Sequence, residues 1–245
     1  MASRDENERR LTGIVGEALR RWLSKARDAV LRPWRQHRMS PDASGVYETQ
    51  DSWIGEVDTI IGTLSRISMD AWSQAVDVPP VSRHAFVMAQ LAVTQNLLVR
   101  LPDEVYNLIF AELTEGTNAG ESTEQLAARI ERLLSYTDSE RWPGRARTIA
   151  QTETTRAYGA ATVAAGMEQS RVTGRVLQKR WDSRDDSRVR NGHREVDGEV
   201  VPVYAPWYVG GIPMLFPGDP SAPPDLVINC RCHVTVLNER EGRRV

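Results

Sequence analysis

The spacing of apolar residues constrains this chain more than any other feature, because it changes character after Gly174. Before that glycine, apolar side chains recur every three or four residues, which is the spacing of one helix face. After it, short apolar runs at 175–181, 200–203 and 232–237 are typical of strands. We therefore predict an α+β fold, mainly helical in its N-terminal two thirds, with a small C-terminal β-rich module.

Start and stop signals divide the helical part into segments. The predicted helices cover approximately residues 11–30, 51–76 and 82–100, then begin again near 102, 122 and 143. Pro33 is expected to end the first helix, Pro102 suits a first helical turn, and Ser122 with Gln125 forms a capping-box pattern. We predict an N-terminal helical region, basic at its start, at 1–80. A second domain at 81–245 has helices to about 172 and the β-rich module at 175–238.

A segment at 204–227 separates the second predicted strand from the third and is expected to be a long loop. It contains six of the thirteen prolines together with several aromatic residues. Because a structureless loop of more than ~15 residues is uncommon inside a domain, we expect the aromatic side chains to fold it back over the module.

Composition limits the classes of function that are plausible. No apolar run approaches the ~18 residues that span a bilayer, and residues 1–8 lack the apolar stretch of a signal peptide. We therefore expect no membrane association and synthesis in a reducing cytoplasm. Under those conditions the two cysteines are expected to be thiols or metal ligands rather than a disulfide.

The first forty residues are basic although the whole chain has a net charge of −2. They hold ten Lys or Arg residues against five Asp or Glu residues. Clusters of this kind usually form solvated faces and less often bind a partner. The candidates for contact with DNA or another partner are Arg20, Arg21, Lys25 and Arg27.

Both cysteines lie in one tetrapeptide, Asn229-Cys230-Arg231-Cys232, where they can face a single metal ion. Zinc takes thiolate and imidazole ligands in a tetrahedron, which makes His193 the natural third ligand. His233 follows Cys232 directly and would point the other way on a strand. The candidates for a fourth ligand are Asp185, Asp186, Asp197 and Asp219. Two other interpretations stay open: two buried thiols beside a hydrogen-bonded histidine, or a catalytic cysteine.

Glu153 and Arg156 lie three residues apart in the alanine-rich sixth helix, so they can pair on one face. One interpretation is a surface ion pair, which contributes ~0–1 kcal/mol. The other is a polar clamp that fastens this helix to the C-terminal module.

Several motifs in residues 149–236 together carry a family resemblance. They are Ile149-Ala150-Gln151-Thr152-Glu153, Arg156-Ala157-Tyr158, Trp181-Asp182, Arg188-Val189-Arg190, His193, Asp197-Gly198, Pro217-Gly218-Asp219-Pro220 and Asn229-Cys230-Arg231-Cys232. In this order and spacing the chain resembles the phage head morphogenesis family of Mu F-like and SPP1 gp7-like minor head proteins, over about residues 85–238. Many members carry a C-x-x-C motif four residues before the Asp-Gly pair, and Arg190 and His193 stand at those two places here.

The resemblance implies a minor capsid protein of a tailed phage that associates with the portal and enters the procapsid during head assembly. The implied partners are the portal protein, a scaffold or major capsid protein, and packaged DNA. The implied location is the head interior or portal vertex. We expect a structural rather than catalytic site, a clasp formed by Glu153, Arg156, Trp181, Asp182, Arg190, Asp197, Gly198, Asn229 and Arg231.

Two alternatives belong to other classes of function. The first is a small metal-dependent nuclease or hydrolase centred on His193, Cys230 and Cys232, with one metal position open to activate water. The second is a DNA-binding module that uses the basic N-terminal helix.

Overall fold

The computed structural model describes residues 2–79, 84–138, 140–184 and 186–237. The helices are α1 (Arg4–Val30), α2 (Arg32–His37), α3 (Gln50–Ala75), α4 (Ala85–Leu98), α5 (Leu101–Asn118), α6 (Thr123–Leu134), α7 (Arg141–Thr173), α8 (Asn191–Glu195) and α9 (Pro224–Val227). The strands are β1 (Gln178–Asp182), β2 (Val200–Pro202), β3 (Trp207–Val209), β4 (Ile212–Met214) and β5 (His233–Leu237). The predicted α+β class, with helices first and a small sheet module near the C-terminus, is confirmed.

The chain forms two compact units. The sheet unit consists of the described residues within 1–11, 61–94 and 148–245, and the helical unit consists of those within 12–60 and 95–147. The predicted boundary between residues 80 and 81, and the first residues of the predicted helix at 82–100, lie outside the described residues. The same holds for residue 238, where the predicted β-rich module was to end. No described helix is long and apolar enough to span a membrane.

The helical unit contains two buried tryptophans whose indole N–H groups both donate hydrogen bonds. The ring centroids of Trp22 and Trp53 lie 5.1 Å apart, and both side chains are fully buried. The indole N–H of Trp22 donates to Thr49 Oγ1 at 2.9 Å, and that of Trp53 donates to the carbonyl of Leu98 at 2.7 Å. Both aromatic rings are therefore buried without leaving an indole donor unpaired.

The capping box predicted for α6 is present. The amide of Gln125 donates to Ser122 Oγ, and the amide of Ser122 donates to Gln125 Oε1. Pro33 was predicted to end the first helix, and α1 does end shortly before it, although a second short helix follows at once. Val30 ends α1, and Pro33 lies in the first turn of α2, where proline's missing N–H would have no helical partner in any case.

The sheet unit contains a three-stranded antiparallel sheet in the order β2-β1-β5. Leu177 and Trp181 were predicted to share one side of the first strand, and both are buried. Helix α7 approaches this sheet closely at Gly166, where an added Cβ atom would lie 2.9 Å from Val203 and 3.0 Å from Val236. The small residues of α7 therefore allow the helix to pack directly on the sheet.

The segment at 204–227 was predicted to be a long loop, but it contains regular secondary structure. It contains the hairpin β3–β4 and the short helix α9. Gly210 and Gly211 connect the two strands with positive φ angles of 57° and 81°, which a two-residue hairpin turn requires and glycine adopts without strain. The expected folding of aromatic residues over the module holds for Trp207 and Phe216, which are buried, but not for Tyr204 and Tyr208, which are exposed.

Candidate functional site

The structure brings together the three predicted metal ligands. The ligand atoms of His193, Cys230 and Cys232 all lie within 4.8 Å of one another, and all three residues are buried. His193 Nδ1 lies 3.3 Å from Cys232 Sγ and 3.6 Å from Cys230 Sγ. The histidine belongs to α8, and the two cysteines lie just before β5.

The backbone of the Cys-x-Cys loop is held from several sides. The amide of Asn229, which has a left-handed φ of 58°, donates to Thr152 Oγ1 at 3.0 Å, and Thr155 Oγ1 donates to the carbonyl of Cys230 at 2.7 Å. The guanidinium of Arg4 donates to the carbonyls of Arg231 and Cys232 at 3.3 and 3.1 Å. Helix α7 and the first residue of α1 therefore fix the loop that presents both thiols.

The two thiols differ in acidity. A hydrogen bond from Cys232 lowers the pKa of Cys230, and the nearby positive charges of Arg4 and Arg190 act in the same direction against the effect of burial. The same hydrogen bond together with burial raises the pKa of Cys232. One thiol of the pair therefore loses its proton more easily than the other.

The donor set and its spacing suit zinc. Tetrahedral zinc sites, with bonds of about 2.3 Å to sulfur and 2.0 Å to nitrogen, place neighbouring ligand atoms roughly 3.5–3.8 Å apart. The two nitrogen–sulfur distances fall close to this value, so His193, Cys230 and Cys232 could hold such an ion without a large rearrangement.

The carboxylates considered as a fourth ligand are engaged elsewhere. Asp186 forms two hydrogen bonds with Arg231, Asp197 accepts from the amide of Ser183, and Asp219 accepts from the amide of Leu215. Asp185 lies outside the described residues. No carboxylate of the described chain joins the three ligand atoms, so the candidates Asp186, Asp197 and Asp219 lie outside this cluster.

A small cavity adjoins the cluster. Its volume is about 20 Å³, and the side chains around it include His193, both cysteines and four arginines, Arg184, Arg188, Arg190 and Arg231. This space is sufficient for about one water molecule. A water molecule could therefore complete a tetrahedral site.

Glu153 and Arg156 form a buried ion pair rather than a surface one. Their side chains are 8% and 4% exposed, and Arg156 Nη1 lies 2.8 Å from Glu153 Oε2. Thr94 Oγ1 donates to Glu153 at 2.6 Å, and Arg156 Nε donates to the carbonyl of Gly218 at 3.2 Å. The pair therefore connects α4 and α7 to the segment that precedes α9.

The predicted clasp residues around the first strand also form specific contacts. The Trp181 ring packs edge-on against the His193 ring with centroids 5.5 Å apart. Asp182 accepts a hydrogen bond from Thr235 Oγ1 at 2.6 Å, and Arg190 donates to the carbonyl of Ile228 at 2.6 Å.

Gly198, with a φ of 75°, donates its amide to the carbonyl of Trp181 at 2.8 Å. Arg231 holds the Asp186 carboxylate with two bonds of 2.6 and 2.7 Å, which lower the pKa of Asp186 to about 2. Both contacts bring segments that are remote in sequence to the neighbourhood of the candidate metal ligands.

Comparisons with known proteins agree with these motifs. The family described as Phage Mu protein F like protein matches residues 107–235, more than half of the chain. The chain belongs to this family. It is also 30% identical over 105 residues to the minor head protein GP7 of Bacillus phage SPP1. The aligned part is 43% of this chain and only about a third, 32%, of that relative. No solved structure matches the chain significantly.

The Mu F-like region includes the whole candidate metal cluster but not the basic residues of α1. In the helical unit, Arg20 pairs with Glu17 at 2.8 Å, and Arg21 forms two hydrogen bonds with Glu56. Lys25 donates to Ser52 Oγ at 2.7 Å, and Arg27 Nε is buried without a hydrogen-bond partner among the described residues. Three of the four predicted contact residues are therefore already bound to neighbouring side chains.

Several residues of the site were not predicted from the sequence. Arg4 lies more than 220 positions before the loop that it holds, and no local pattern links the two. Thr94 likewise gives no local signal. Thr152 and Thr155 lie beside Glu153 and Arg156 in the alanine-rich helix α7, and this run of polar residues was a local indication of a polar site there.

Proposed function

We propose that this chain is a minor head protein of a tailed phage that is incorporated into the assembling head and associates with the portal. The membership in the Mu F-like family carries this proposal. The printed name of the SPP1 relative, a minor head protein, supports it over the region that aligns. The scaffold or major capsid protein and packaged DNA are further proposed partners.

We propose that the buried cluster of the sheet unit has a structural role. The observation that favours this is access: His193 is 1% exposed, and the adjoining cavity of about 20 Å³ has room for little more than one water. A nuclease or hydrolase needs a cleft that admits its substrate. A closed cluster instead suits a site that fastens the last strand to α7 and α8.

Zinc is the proposed ion for this cluster, with His193, Cys230 and Cys232 as its protein ligands. A bound zinc ion supplies a tetrahedral link between segments that are distant in sequence, and such links contribute directly to folding stability. The chain's own contribution is the rigid presentation of the two thiols by Thr152, Thr155 and the guanidinium of Arg4.

Contact with packaged DNA through α1 has weaker support than association with the portal. Phosphate contacts favour basic side chains without nearby carboxylates. Arg20 and Arg21 are both paired with glutamates, which reduces the positive potential of this face. A steep salt dependence of DNA binding that disappears when residues 1–40 are deleted would support such contact.

The test is incorporation into particles. In the phage that encodes this chain, an epitope-tagged copy is expected to co-purify with procapsids and with the portal protein. Absence of the tagged chain from procapsids, despite normal expression, would overturn the proposal. A hydrolytic activity that His193→Ala abolishes in a protein that remains folded would favour the enzyme instead.

A further inference from the structure

A groove runs along the last strand of the sheet unit. It has a volume of about 420 Å³ and is partly open to solvent. Cys232 and residues 233–236 of β5 form one wall, and Arg184 with residues of α1, α3 and α7 forms the others. Because side chains alternate between the two faces of a strand, contact with four consecutive residues places the groove along the edge of β5.

The edge of β5 is free within the described part of the chain. The sheet order is β2-β1-β5, so β5 pairs with β1 alone. The backbone of Trp181 in β1 bonds toward the β2 side, to Glu199 and Gly198, so the neighbouring positions of β1 bond toward β5. By the register of the pair, the backbone groups of Val234 and Val236 then point away from β1, toward the groove. Such unpaired edges accept an additional strand.

The charge of the lining residues indicates which kind of segment is complementary to the groove. Arg4, Arg184 and His233 line it, and none of the described lining residues is Asp or Glu. Arg4 donates to two carbonyls and to Thr155 Oγ1, and none of these acceptors carries a charge. Arg184, which is half-exposed, pairs with Asp5, and His233 lies 3.7 Å from Asp182, so Arg4 contributes most of the unopposed positive charge. The walls also present apolar surface from Ala71, Ala75 and the valines of β5. An extended segment that alternates acidic and small apolar side chains is complementary to this lining.

We propose that the groove beside β5 binds an extended acidic segment of a partner protein, which adds to the sheet as a strand next to β5. In this mode, backbone hydrogen bonds supply affinity and the side-chain contacts supply specificity. The inference concerns a surface that the head-assembly role does not assign. Cys232 of the candidate metal cluster also lines the groove, but the proposal rests on the backbone edge of β5 and not on a bound ion.

The full chain is tested with a fluorescein-labelled peptide of sequence Val-Glu-Val-Glu-Val-Glu. Saturable binding is expected in fluorescence anisotropy, and a peptide with lysine in place of each glutamate is expected not to bind. Arg184→Glu is expected to weaken binding by about tenfold or more. Arg171→Glu is the matched control, because Arg171 is also an exposed arginine paired with one carboxylate but does not line the groove. This control is expected to bind as the unsubstituted chain does.

Two further measurements separate strand addition from charge attraction. Two peptides are compared, each N-methylated at one of the two sets of alternate backbone amides. Only one set of amides faces β5, so methylation of that set is expected to abolish binding and methylation of the other set to preserve it. Hydrogen exchange at the amides of Val234 and Val236 is expected to slow on binding. No binding of the acidic peptide, equal weakening by both arginine substitutions, or equal binding of both methylated peptides would overturn the proposal. Absence of the chain from phage heads would affect only the proposed function.

Discussion

At the scale of single residues, two ion pairs of α7 show what sequence spacing leaves undetermined. Glu153–Arg156 and Glu168–Arg171 have the same i, i+3 spacing and the same order of charges. The first pair is buried beneath α4 and the segment before α9, whereas the Arg171 side chain is 70% exposed. The spacing predicts that each pair can form, but burial depends on which helix face meets the rest of the unit.

Substitution of the two arginines is expected to have different effects. Arg156→Ala leaves the Glu153 carboxylate buried without its counter-charge, which is expected to lower the free energy of unfolding by about 3–5 kcal/mol. Arg171→Ala removes an exposed partner and is expected to cost less than about 1 kcal/mol. Urea unfolding of both variants measures the difference. Equal, small losses would show that the Glu153–Arg156 pair is not the buried clamp described above.

Lys179 is a buried residue whose charge state is coupled to folding. Its side chain is fully buried, lies 4.5 Å from the centre of the Trp207 ring and donates to the carbonyl of Leu215 at 2.7 Å. Burial lowers the pKa of Lys179 from 10.5 to about 7, against the opposing effect of Asp219. Between these values the unfolded chain binds the additional proton, so this residue makes stability rise as pH increases from about 7 toward 10.5.

We expect Lys179→Met to remove that part of the pH dependence. Its free energy of unfolding, measured with urea between pH 7 and 9.5, is expected to rise less steeply with pH than that of the unsubstituted chain. Both proteins contain the same cysteines, so the comparison cancels their titration. Parallel pH profiles would mean that Lys179 keeps its ordinary pKa in the folded chain.

At the scale of elements, the sequence signals that succeeded were local ones. The capping box of α6 needs only Ser122 and Gln125, which are three positions apart, and both bonds form as predicted. The β3–β4 hairpin was missed although Gly210-Gly211 between two short apolar runs is a hairpin signal. Pro206 and Pro213 favoured a loop in the prediction, yet Pro213 lies in strand β4. Because the β3–β4 sheet has only two strands, both are edge strands, and an edge strand tolerates the missing N–H of proline.

Two helical glycines are expected to respond in opposite ways to the same substitution. An added Cβ atom at Gly159 of α7 would lie 2.8 Å from Phe216 and 2.9 Å from the carbonyl of Pro217. Gly159→Ala is therefore expected to destabilise the chain by roughly 1–3 kcal/mol through overpacking. Gly62→Ala in α3 meets no atom within 4 Å and is expected to stabilise by about 0.5–1 kcal/mol through helix propensity. Thermal unfolding of both variants is the measurement, and stabilisation by both would contradict the close packing of α7.

At the scale of the whole molecule, the sequence predicted which residues form the site better than it predicted what holds them. His193, Cys230 and Cys232 were identified from residue types that share one chemistry, and they do meet. The contacts of Arg4 with Cys232, and of Asp186 with Arg231, depend on the complete fold. The second contact also explains why a conspicuous aspartate is not available as a metal ligand, since its carboxylate is already bound.

Zinc is expected to stabilise the whole chain through this cluster. At a free zinc concentration about 100 times the dissociation constant, linkage adds about 2.7 kcal/mol to the free energy of unfolding, so the melting temperature should rise with added zinc and fall with a chelator. His193→Ala and Cys230→Ser are expected to abolish the response. His233→Ala is the matched control, because this exposed histidine follows Cys232 directly but lies outside the cluster, and it should respond as the unsubstituted chain does.

A zinc response that survives Cys230→Ser would place the ion elsewhere. No response in the unsubstituted chain would leave a hydrogen-bonded pair of thiols beside a histidine, which the same buried contacts with Thr155 and Arg4 would still hold in place.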